Sequence, residues 1–71
     1  MQTDYKEIDR LYGLSIEAGD MVRLPNGDIV TVTRTESVED GYDIFYLDLF
    51  EDEELVYTLD DTDTVSLLQF D

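Results

Sequence analysis

The side chains in this sequence that can do chemistry are almost all carboxylates. The stretch DLFEDEEL, residues 48–55, places five of them in eight positions. Glu39, Asp40 and Asp43 precede it, and Asp60, Asp61 and Asp63 follow. Clustered carboxylates serve four kinds of role. They hold hard cations, exchange protons with a substrate, keep a protein soluble in salt, or present an anionic surface to a cationic partner.

Acid–base catalysis is poorly supplied. The chain of 71 residues has no His and no Cys, and Lys6 is its single Lys. Ser15, Ser37 and Ser66 have only carboxylates as neighbouring bases, so no activated nucleophile is indicated. Paired carboxylates can hydrolyse glycosides, but they need a cleft that raises one pKa and seats a sugar. A domain of this length leaves little room for one. Calcium fits no better. Asp61-Thr62-Asp63 begins like an EF-hand loop, yet Ser66 stands where glycine is required. The chain also ends before a twelfth-position Glu. Without Cys and His, the usual zinc sites are excluded. No catalytic, cofactor-binding or metal-ligating set is therefore assigned, and the expectation is a protein that is not an enzyme.

The distribution of charge is more telling than its total of −15. Residues 1–36 hold seven acids and all four bases, Lys6, Arg10, Arg23 and Arg34, for a net −3. Residues 37–71 hold twelve acids and no base, for a net −12. Such a chain repels nucleic acids and anionic membranes, whose binding needs Lys and Arg to neutralise phosphates. Neither direct nucleic-acid binding nor membrane binding is expected. No apolar run approaches the roughly 20 residues of a membrane span. The N-terminus lacks the basic-then-apolar layout of a signal peptide. A cytoplasmic protein is the expectation.

The elements that must position these acids read mainly as strands. Residues 1–15 form an expected N-terminal helical segment, with Thr3 as cap, Ile8, Leu11 and Tyr12 on one face, and Gly13 as stop. Residues 16–71 form the expected β-domain. Its strands are 21–24, 29–36, 42–50, 55–59 and 64–70, separated by turn residues. Asn26-Gly27 signals a hairpin, because both residues tolerate the positive φ of a type I′ turn. The strand 42–50 is apolar on both faces, with Ile44 and Tyr46 on one and Phe45, Leu47 and Leu49 on the other. The expected core is Val22, Leu24, Val30, Val32, Phe45, Leu47, Val65 and Leu67.

GDMVRLPNGDIVTV, residues 19–32, resembles the opening hairpin of SH3-like small barrels of the Tudor and KOW type. DDTDTVSLL, residues 60–68, resembles their short helical turn and closing strand. The resemblance implies a mainly β fold, a five-stranded antiparallel SH3-like barrel, here with a short N-terminal helix. KOW-like members bind RNA through basic loops, from which this chain departs with only Arg23 and Arg34 in the region. Tudor-like members use aromatic cages. Tyr42, Tyr46 and Tyr57 lack a defined cage spacing, and strand packing accounts for them better.

Two readings explain the charge. Adaptation to a molar-salt cytoplasm, in an SH3-like structural or adaptor domain, would make the acids a device for solubility. It does not explain a half without bases. A partner-facing surface does. DNA presents one charge per about 1.7 Å of axis, and carboxylates at comparable density can occupy a basic groove in its place. In size, charge and lack of catalytic groups the chain resembles small acidic phage proteins that inhibit restriction, repair or CRISPR nucleases. The leading expectation is thus a non-enzymatic binding module, a nucleic-acid mimic whose partner is a basic, nucleic-acid-binding protein. Its expected contact residues are Glu39, Asp40, Asp43, Asp48, Phe50, Glu51, Asp52, Glu53, Glu54, Asp60, Asp61 and Asp63, with Phe50 exposed beside the acidic turn.

Overall fold

A computed structural model describes residues 5–48 and 52–70, with the backbone alone at Phe70. Six strands form one antiparallel sheet among these residues. They are β1 (Tyr5–Tyr12), β2 (Met21–Arg23), β3 (Ile29–Val38), β4 (Gly41–Asp48), β5 (Glu53–Asp60) and β6 (Thr64–Phe70). The sheet order is β1-β6-β2-β3-β4-β5, so β1 and β5 are its edges and the sheet does not close.

Two expectations are corrected here. The fold has six strands where five were expected, and residues 5–12 form a strand where a helix was expected. The only helical turn among the described residues is a single 3-10 turn at Gly13–Ser15. A helix this short is marginal in water. As a strand, the same segment pairs with β6 from Tyr5 opposite Phe70 to Tyr12 opposite Thr64. Long-range ladder bonds therefore outweigh a weak local preference. Ile8, expected on a helical face with Leu11 and Tyr12, sits at a bulge between Glu7 and Asp9 and is half exposed.

The β2–β3 hairpin also turns differently. The Gly27 amide donates to the Leu24 carbonyl at 2.9 Å, and the Leu24 amide donates to the Asp28 carbonyl at 2.8 Å. Only Gly27 takes a positive φ in this turn, at 97°. Pro25 is the reason. Its locked negative φ suits the first central position of a type I turn, which puts Asn26 second and Gly27 in the left-handed position. The expected type I′ turn would have needed positive φ at Asn26.

β3 bends the sheet on itself. Its first residues pair with β2, Met21 opposite Thr31, and its later ones with β4, Val32 opposite Tyr46. The register slips between Val32 and Arg34, leaving Thr33 as the bulged residue. The Thr33 hydroxyl donates to the Phe45 carbonyl at 3.0 Å across this bulge. Such a bulge sharpens local twist. Here it lets β2 and β6 face β4 and β5 across a shared core.

That core is Ile16, Val22, Leu24, Val32, Ile44, Leu59 and Val65. Val30 and Leu67 pack against it half-buried. Phe45 and Leu47, expected inside, lie on the opposite face of β4, and Leu47 is 43% exposed. Both faces of β4 are apolar, so its parity is decided by pairing. Once Val32 is buried opposite Tyr46, Ile44 must point inward and Phe45 outward. Two glycines permit the closest approaches. The Tyr42 ring occupies the place where Gly13 would carry a Cβ, and the Leu59 carbonyl does the same at Gly41. No helix among the described residues is long and apolar enough to cross a membrane.

Candidate functional site

The outer face of the β3–β4–β5 meander carries the chemistry. Strand alternation puts Arg34, Glu36 and Val38 of β3 on it, with Asp43, Phe45 and Leu47 of β4 and Glu54, Val56 and Thr58 of β5. Cross-strand register makes them neighbours. Arg34 lies opposite Phe45, Glu36 opposite Asp43, Phe45 opposite Val56, Asp43 opposite Thr58, and Leu47 opposite Glu54.

At the centre, the Arg34 guanidinium lies over the Phe45 ring, 3.7 Å from its centroid. It pairs with Glu36 at 3.1 Å and Glu54 at 3.3 Å. The hydrogen bond to Glu54 holds the guanidinium above its ordinary pKa, with the charges of Glu54 and Glu36 adding to it. Arg34 is half exposed, so these bridges organise the face more than they stabilise the fold. Beside it, the Thr58 hydroxyl donates to Asp43 at 2.7 Å. Leu47 and Val56, 43% and 52% exposed, extend the Phe45 ring into an apolar strip.

Ten of the twelve expected contact residues lie among the described residues, in two groups with Asp43 between them. Phe50 and Glu51 lie outside the described residues. Glu39, Asp40, Asp60, Asp61 and Asp63 gather at one end of the meander, where the Asp61 amide donates to the Asp40 carbonyl at 3.0 Å and ties two turns together. Asp48, Asp52, Glu53 and Glu54 gather at the other end, the length of β4 away, about 23 Å at strand rise. Asp43 lies between the two groups. Between the two ends the outer face carries the carboxylates of Glu36 and Asp43 and the Phe45–Leu47–Val56 strip.

Sequence reasoning missed Arg34 and Glu36. Arg34 belongs to the half that carries bases, yet hairpin pairing sets it inside the acidic half. The chain's base-free second half is therefore not base-free in space. The signal available was the SVEDG turn, which folds residues 34–36 back over 43–45.

The acidic turns are internally organised. Asp52 takes a left-handed φ of 54°, with its amide donating to the Asp48 carbonyl at 2.8 Å. In the β5–β6 turn, Asp60 accepts from the Thr62 amide at 3.1 Å and the Thr62 hydroxyl at 3.0 Å. These bonds lower the Asp60 pKa, and the interaction with Asp61 lowers it further. The neighbouring Asp61 is raised, chiefly by its side-chain hydrogen bond with Asp60, then by partial desolvation and the charges of Asp60 and Asp40. Residues 60–63 are a hydrogen-bonded turn, not the short helical turn that the barrel resemblance implied.

Where β2 and β3 meet β4 and β5, an open cleft of about 690 Å³ is lined by residues of both β4 faces, Tyr46 and Leu47, with Tyr5, Met21, Ile29, Val30, Thr33 and Leu55, and Asp28 and Asp48 at hand. Among the described residues no three carboxylates converge as a metal site. No family model, no curated protein and no solved structure matches this chain.

Proposed function

We propose that this chain is a non-enzymatic binding module whose outer β3–β4–β5 face docks a basic protein, of the class that binds nucleic acids. The observation that carries the reading is the composition of that face. An apolar strip, the exposed Leu47 and Val56 beside the half-buried Phe45, lies between two carboxylate groups, and the cation over Phe45, Arg34, is already engaged by Glu36 and Glu54. Apolar anchors supply affinity at an interface, and the surrounding charge steers and selects the partner. Carboxylates at both ends, with Asp43 between them, suit a groove that otherwise tracks phosphates. A phage-type inhibitor acting as a nucleic-acid mimic is the specific form of this proposal. For the fold we propose an SH3-like small barrel left open. The order β6-β2-β3-β4-β5, with a three-strand meander and a closing strand beside the first, supports it.

A second reading has its own support. Glu7, Asp9, Glu17 and Asp28 are exposed acids outside the face, as an SH3-like structural or adaptor domain adapted to salt would carry. Circular dichroism in low salt and in molar KCl separates the two, since a salt-adapted fold collapses in low salt. The direct experiment is affinity capture from a host lysate with the wild type and with a Glu36→Gln, Asp43→Asn, Glu54→Gln variant. Recovery of a basic nucleic-acid-binding protein by the wild type, and its loss from the variant, is the expected result. Equal recovery by both sinks the proposal.

A further inference from the structure

We infer that the outer edge of β5 is a docking edge, at which an extended basic segment of the partner adds to the sheet as another strand. The inference rests on the basic-partner reading above and gives it a mode of binding.

Among the described residues β5 pairs with β4 alone, and its register runs unbroken from Glu53 opposite Asp48 to Asp60 opposite Gly41. An edge strand turns backbone N–H and C=O groups outward at alternate residues, a template for another strand. Proteins blunt such edges with bulges, Pro or Lys. The other edge, β1, is blunted in this way. It carries the bulge at Ile8 and the charges of Lys6, Glu7, Asp9 and Arg10. β5 has no bulge, no Pro and no base.

Its charges sit only at its ends, Glu53 and Glu54 at one and Asp60 at the other, around the uncharged run Leu55–Leu59. These acids select the occupant. In a symmetric antiparallel pairing of two copies, Glu53 falls opposite Asp60. In a parallel in-register pairing, each acid meets itself. Like charges directly opposite are destabilising, and each copy carries −15 overall. A second copy is thus repelled. A strand with Lys or Arg at both ends and β-branched residues between them is attracted. An apolar side chain set beside the exposed Val56 would extend the strip formed with Phe45 and Leu47.

The experiment titrates the full chain into a fluorescent peptide, KRTVTVRK. Two further peptides carry N-methyl groups at its odd or its even residues, with charge unchanged. Strand pairing uses the amides of one parity only. One methylated peptide is expected to bind at least about tenfold more weakly, the size of a single lost hydrogen bond of ~1.4 kcal/mol, and the other to bind like the parent. Amide exchange at residues 53–60 slows on binding of the parent. Equal affinity of the two methylated peptides, or no binding by the parent, overturns the docking edge. Neither result decides the basic-partner reading, which stands or falls on the lysate capture. Because the protein is unaltered throughout, misfolding cannot imitate either outcome.

Discussion

Replacing Ile44 with Ala tests the facing of β4, on which the whole outer surface depends. Ile44 is fully buried, and its loss leaves a cavity bounded by Val32, Leu59 and their neighbours. Truncations of this kind cost about 2–5 kcal/mol. At about 0.05–0.15 kcal/mol per residue, a chain of 71 residues has roughly 4–10 kcal/mol in all. The substitution therefore removes a large share of the stability. At about 4–8 °C per kcal/mol for a domain this small, the melting temperature falls by roughly 8–40 °C. Leu47→Ala is the partner experiment. Leu47 is 43% exposed and leaves no enclosed void, so its cost is about 1 kcal/mol or less. Urea unfolding followed by circular dichroism measures both, at one fixed ionic strength because screening alters the repulsion among the acids. A Leu47→Ala cost equal to that of Ile44→Ala would refute the facing, and with it the outer strip.

Two further outcomes are expected. Gly41→Ala drives a methyl group into the Leu59 carbonyl and to within 3.2 Å of the Asp60 Cα, both backbone, so the β4–β5 end must open. A loss of about 1–3 kcal/mol in the same urea assay is expected, and unchanged stability would contradict the close approach. Asp61→Asn should stabilise the fold at neutral pH. The wild-type carboxyl has a folded pKa above its ordinary value of 3.8, so ionising it opposes folding. That cost is complete above the raised pKa and vanishes below the ordinary one, so the variant's advantage should fade as the pH falls through that window. An advantage that grows in acid would reverse the assigned direction.

Much of the β-structure was legible because local chemistry decides it. Residues 64–70 form the strand that their composition indicates, and Val22, Leu24, Val32 and Val65 are buried as strand alternation requires. Pro25 and Gly27 set the hairpin turn between them, although attention to Asn26-Gly27 alone misassigns its type. The N-terminal segment was misread for a physical reason. Ile8, Leu11 and Tyr12 satisfy helical spacing, while the partner that makes them a strand lies more than fifty residues away in β6.

The sequence by itself determined the excess of carboxylates, the absence of His and Cys, and the confinement of bases to residues 1–36. Those are counts, and no fold alters them. Tertiary structure alone decided what the acids face. A strand apolar on both sides has no preferred parity until a neighbour pairs with it. The bulge at Thr33 and the burial of Val32 turned Phe45 and Leu47 outward. The same pairing carried Arg34 into the acidic half and left the run DLFEDEEL leading into an edge strand. Charge is a property of the chain, but proximity belongs to the register, which is set by hydrogen bonds between residues remote in sequence.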